Sequence, residues 1–150
     1  MFRKHGLVLF ALATAMGVSS TLSAAEPEDQ IKYRQNTMKA LGGHTGSAFA
    51  LVGGKVEHPD HLLPHAQGLA AMGGLIKDLF PEGSGEGKTA AKAEIWENPD
   101  DFGQKVEAAE QAAAAFLAAV ESGDQEQIGA SLKEVGQACK GCHDEYRQKD

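Results

Sequence analysis

Apolar residues recur at alternating steps of three and four along four stretches of this chain, the spacing that lines up one face of a helix. The first stripe runs Ile31, Arg34/Gln35, Met38, Leu41, Thr45, Ala48/Phe49 and Val52. Pro27 suits its first turn, and Gly53-Gly54 stop it. A second runs Leu62, Ala66, Leu69, Gly73, Ile76 and Phe80, and Pro81 ends it. The third opens on Asn98 as N-cap with Pro99 as first helical residue. It continues through Phe102, Val106, Ala109, Ala113, Phe116 and Val120 to Gly123. The fourth opens on Asp124 with Gln127 three residues on, a capping-box pattern. Its stripe is Ile128, Leu132, Val135, Cys139, Cys142 and Tyr146.

No segment alternates with a strand's period, and abundant Ala, Leu, Glu, Gln and Lys favour helix. Most connections are short, which makes neighbours antiparallel and predicts an all-α, up-down four-helix bundle. The exception is Pro81 to Glu97, glycine-rich early and carrying Ile95-Trp96 late. A connection of that length is expected to be functional or partly structured.

Ahead of the first stripe lies a different pattern. Arg3 and Lys4 precede an apolar run from Leu7 to Val18, then small residues through Ser23-Ala24-Ala25. This reads as a secretory signal, residues 1–25, cleaved after Ala25. A run of about 12 residues is too short for a bilayer span, which needs roughly 20. The expected location is therefore the periplasm, with no membrane insertion after cleavage and a single domain over residues 26–150.

Charge narrows the partners. The chain has 14 Lys+Arg against 21 Asp+Glu, a formal net charge of −7. Losing Arg3 and Lys4 with the signal, and no acid, takes it to −9. Such acidity argues against nucleic acid, which rewards a basic patch. It predicts a partner with a basic docking surface and contact weakened by salt.

Two cysteines are too few for a disulfide framework or a four-cysteine zinc site. Both lie in Cys139-Lys140-Gly141-Cys142-His143, a C-x-x-C-H near the end of the fourth stripe. That pattern reads as c-type haem attachment. Thiols three residues apart on a helix share a face and can form thioethers to the two vinyl groups of one haem. The adjacent histidine can then ligate the iron. A thioredoxin-like C-x-x-C would instead open a helix after a strand. A zinc site would need a ligand from elsewhere, and a plain disulfide leaves His143 without a role.

The stretch Val135-Gly-Gln-Ala-Cys-Lys-Gly-Cys-His-Asp-Glu-Tyr-Arg147 resembles the class II c-type cytochromes, the cytochrome c′ family. Gln30-Ile-Lys-Tyr-Arg-Gln-Asn-Thr-Met38 and Glu94-Ile95-Trp96 match it as well, so the resemblance spans the chain after the signal. It implies one covalent haem c on Cys139 and Cys142, with His143 as an iron ligand. It places Arg34 and Gln35 at the haem propionates; the alternative for Arg34 is to snorkel out to a surface acid.

The same resemblance puts Met38, one turn beyond Arg34, on the opposite side of the haem from His143. In low-spin relatives a methionine there ligates iron, which suits one-electron transfer. In cytochrome c′ proper an apolar cover leaves iron five-coordinate and open to gases such as nitric oxide. The run Met38-Lys-Ala-Leu-Gly-Gly-His44 is closer to the low-spin members, so a metal set of His143 and Met38 is expected. A space-filling core methionine is the other reading, and His44 competes as sixth ligand.

The resemblance also implies a homodimer through the first two helices. No catalytic constellation is visible, so a carrier rather than an enzyme is expected. Gly42-Gly43 and Gly73-Gly74 call for a close approach or a kink. His58, His61 and His65 form a candidate metal cluster with a solvated helix start as alternative. Lys88 and Lys92 are candidates to reach a propionate, and Trp96 to anchor the long loop.

Overall fold

The computed structural model describes residues 26–149, so the expected signal at 1–25 lies outside the described residues. Four long helices dominate: α1 (Pro27–Val52), α2 (Leu62–Gly73), α4 (Pro99–Ser122) and α5 (Gln125–Tyr146). A one-turn α3 (Glu94–Glu97) lies in the long connection. Among the described residues the only ladder-like pairing is an isolated antiparallel bridge between Ala91 and Arg147. The all-α reading holds.

Helix ends follow local chemistry. Pro27 opens α1 with Glu28 and Asp29 in its first turn, where acids favour the helix dipole. Gly123, at φ 74°, takes the left-handed conformation that closes α4. Asp124 then accepts from the backbone N–H groups of Glu126 and Gln127, while Gln127 Nε2 donates back to its Oδ2 at 2.6 Å. Asn98 stands at the start of α4 as expected, but makes no side-chain cap.

The second stripe is broken where one continuous helix was expected. Helix α2 stops at Gly73, and a separate 3₁₀ turn covers Ile76–Asp78. A Cβ on Gly73 would lie 3.6 Å from Ala113 Cβ, an ordinary contact, so it is the low helix propensity of the two glycines, not the approach of α4, that weakens the helix here. Gly42 and Gly43 meet no such neighbour, and α1 runs through them unbroken.

Packing closes a square in which α1 contacts α2 and α5, and α4 contacts α2 and α5. The α1–α5 seam is the sparsest of the four. One core cluster joins Ala48, Ala66, Leu69, Ala113, Phe116 and Leu132, with Phe116 fully buried. A second gathers Ile95, Phe102, Val106 and Tyr146 toward the end of α5. Phe102 stacks edge-on with both Phe80 and Tyr146, at 4.9 and 5.1 Å between centroids.

Candidate functional site

Cys139 and Cys142 lie on one face of α5, where the two core clusters meet. Cys139 packs against the first cluster and Cys142 against the second. Both are free and half-buried. Burial pushes the Cys139 thiol up, and burial with the neighbouring Cys139 pushes Cys142 up to about 11. Both therefore stay protonated and apolar at neutral pH. His143 keeps an exposed face; partial burial of its ring and the nearby Arg147 lower its pKa, favouring the neutral form that can ligate a metal. Around this end, Lys105 pairs with Glu145 at 2.9 Å and Lys140 pairs with Asp144.

Across the bundle, Arg34 is 3 % exposed. It does not snorkel. Nη1 donates to Leu79 O at 3.2 Å and Ser84 Oγ at 2.9 Å. Nη2 donates to Ser84 O at 2.9 Å and Thr89 Oγ1 at 2.8 Å. The guanidinium also sits 4.8 Å from the Phe80 ring centroid. All four acceptors are neutral, and desolvation lowers the Arg34 pKa. Of five guanidinium N–H groups, Nε–H is left for a further acceptor. Exposed Gln35 donates from Nε2 to Lys88 O at 2.8 Å. Met38, one turn on, is half-buried.

The long connection is thus tied at both ends. Gln148 N–H donates to Ala90 O, Lys92 N–H to Tyr146 O and Lys92 Nζ to Glu145 O. Trp96 anchors it as expected, donating from Nε1 to Phe80 O and packing on Gly85. Sequence reasoning missed Ser84 and Thr89, the acceptors that hold Arg34. The signal for Ser84 was its place between Gly83 and Gly85, where a loop folds tightly.

The histidines do not form the metal cluster considered from sequence. His58 stacks on His61, while His65 turns to His44. Among the described residues no group of three or more His, Cys, Asp or Glu is placed to hold a metal ion.

A family model described as Cytochrome C' matches residues 29–147. The cytochrome c' of Pararhodospirillum photometricum is 36% identical over 125 residues, covering 83% of this chain and 100% of that protein. The chain belongs to the cytochrome c′ family. A solved cytochrome c prime from Shewanella frigidimarina superposes with TM-score 0.80 at 34% identity, covering 85% of this chain and 100% of that one. Cytochrome c-554 of Cereibacter sphaeroides is 42% identical over 89 residues, 57% of this chain and 58% of that protein.

Members of the cytochrome c′ family carry one covalent haem c, and this chain is a mono-haem c-type cytochrome on a helical bundle. Its residues fit that group. Two unpaired thiols share a helix face, a neutral imidazole adjoins them, and a buried cation has only neutral protein partners. A carboxylate would complement that cation.

Proposed function

We propose that this chain carries single electrons between periplasmic redox partners. Cys139 and Cys142 attach the haem, and His143 and Met38 are the two iron ligands. Bound haem c supplies a centre that changes oxidation state by one electron. The protein orients it: α5 presents both thiols and the imidazole from one helical turn. Met38 comes from the inward side of α1, one turn beyond Arg34. That placement of a half-buried thioether is the observation supporting the reading. Arg34, through Nε and its buried charge, and Gln35 provide for the propionates.

Residues 1–25 serve as the export signal, and the acidic surface selects partners with a basic docking face, with homodimerisation through α1 and α2. Raising ionic strength from about 0.01 M to 1 M shortens the Debye length from about 30 to 3 Å and should slow electron exchange accordingly.

Absorption spectra in both oxidation states test the ligand set. Wild type should be low-spin, with a methionine–iron charge-transfer band that Met38→Ala abolishes. A high-spin ferric wild type would overturn it. One observation favours a second reading, gas binding at five-coordinate iron. A nitric oxide complex of a variant of Alcaligenes xylosoxidans cytochrome c prime superposes on this chain with TM-score 0.78 at 31% identity, covering 85% of this chain.

A further inference from the structure

His44 on α1 and His65 on α2 face each other across the helix interface, with Nδ1 to Nδ1 at 3.0 Å. The rings meet edge-on, with centroids 5.2 Å apart. Both are half-buried. The space for His44 is made by Gly68, where a Cβ would lie 2.6 Å from His44 Cε1 and 2.7 Å from its Nε2. The imidazole holds this position because residue 68 lacks a side chain.

We propose that His44 and His65 form a proton-operated latch that holds α1 to α2 while the two rings share one proton. A 3.0 Å approach of two ring nitrogens requires one Nδ1–H to donate and the other Nδ1 to accept. A proton added at the accepting Nδ1 removes the acceptor and leaves an imidazolium N–H facing the donor N–H at that distance. A further proton on the donor ring's outer nitrogen sets two like charges against each other.

The groups acting on His65 agree. Burial, His44 across the interface and His61 from the preceding turn all lower its pKa from 6.5. From α4, the residues sharing a core with Ala66 and Leu69 are apolar, Ala113 and Phe116 among them. The α4 carboxylate of Glu110 lies opposite Gly74, more than two turns beyond His65. No acid among the groups acting on His65 stabilises the doubly protonated state.

The sign follows. Because His65 binds protons less readily folded than unfolded, stability is full above pH 6.5 and falls as pH drops from there through the lower folded value. Acid thus loosens α1, the helix that bears Met38 and Arg34.

Histidine-ring 1H–15N spectra and thermal melts of the haem-loaded protein between pH 5 and 8 test the latch. Wild type should show one ring protonated at Nδ1 and the other accepting there. His44→Gln should raise the His65 midpoint. The acid drop in Tm should shrink in His44→Gln and His65→Gln and remain in His58→Gln. Gly68→Ala, which displaces His44 without removing either imidazole, should shrink it too. An unshared Nδ1 proton, a His65 midpoint indifferent to His44→Gln, or an undiminished acid drop in all three variants would overturn the proposal. Each of these readouts is independent of Met38. If His44 itself ligated iron, His44→Gln would also change the absorption spectrum, which separates that case from the latch.

Discussion

Arg34 grips Ser84 twice, at the hydroxyl and at the backbone carbonyl, each at 2.9 Å. Ser84 is 1 % exposed and passes its own proton to Pro81 O at 2.8 Å, so the loop turn and the guanidinium hold each other. A lysine keeps the charge but has no planar fork to reach Leu79, Ser84 and Thr89 together. Hydrogen bonds to a charged group contribute about 1.5–3 kcal/mol each and are not additive. Arg34→Lys is therefore expected to lower the unfolding free energy by about 2–4 kcal/mol in denaturant titrations. It should also speed amide exchange at Lys92, whose N–H donates to Tyr146 O. Exchange unchanged beyond α1 would show that Arg34 does not tie the loop to α5.

Substitution at Gly85 probes the far side of the same loop. A Cβ there would lie 2.8 Å from Trp96 Cζ3. Gly85→Ala should displace the indole, break the Trp96 Nε1 bond to Phe80 O and cost about 1–3 kcal/mol, the usual range for overpacking. Since the chain has one tryptophan, its fluorescence maximum reports the change directly. An unshifted maximum would show that the loop absorbs the methyl group elsewhere.

The four long helices were readable because their signals are local. Pro27, Gly123 and Asp124 act within one turn of themselves, and the three-four periodicity of Phe102, Val106, Ala113 and Phe116 survives in the core. The C-x-x-C-H motif was readable for the same reason, since its residues span one helical turn. What escaped depends on residues distant in sequence. Arg34 meets Ser84 across 50 positions, and His44 meets His65 across 21. Nothing near His65 distinguishes a partner on α1 from the exposed His61 one turn away, so the sequence suggested a cluster of 58, 61 and 65. The end of α2 escaped because its apolar rhythm continues through Ile76 and Phe80, while Gly73-Gly74 weaken the helix and the chain goes on as a separate 3₁₀ turn.

The Asp124 cap gives an acid-range prediction. Hydrogen bonds from the Gln127 backbone and side chain, and then from the Glu126 backbone, hold its carboxyl below the ordinary 3.8. A depressed folded pKa means the contribution is present above pH 3.8 and is lost as pH falls through the folded value. Asp124→Ala should therefore unfold at lower denaturant than wild type at pH 6, and the two midpoints should converge on acidification. A gap that persists at pH 2 would assign the effect to something other than this carboxylate.

Tyr146 predicts the opposite end of the pH scale. It is buried on the second core cluster, and its hydroxyl donates to Asp101 Oδ2 at 2.5 Å. That bond, with burial and the charge of Asp101, pushes its pKa from 10 up to about 12. Between these values the unfolded chain has released the phenolic proton and the folded chain has not, so stability falls as pH rises through that window. Ultraviolet titration of the haem-loaded protein should show one phenolate forming near pH 12. Asp101→Asn should lower that midpoint, because an amide removes both the charge and the stronger acceptor, and Tyr146→Phe should abolish it. Because Tyr146 lies three residues after His143 and its carbonyl accepts from Lys92, Tyr146→Phe also tests whether this hydroxyl stiffens the C-x-x-C-H end of α5. Faster Lys92 amide exchange in that variant would show that it does, and unchanged exchange would confine the hydroxyl to a local bond with α4.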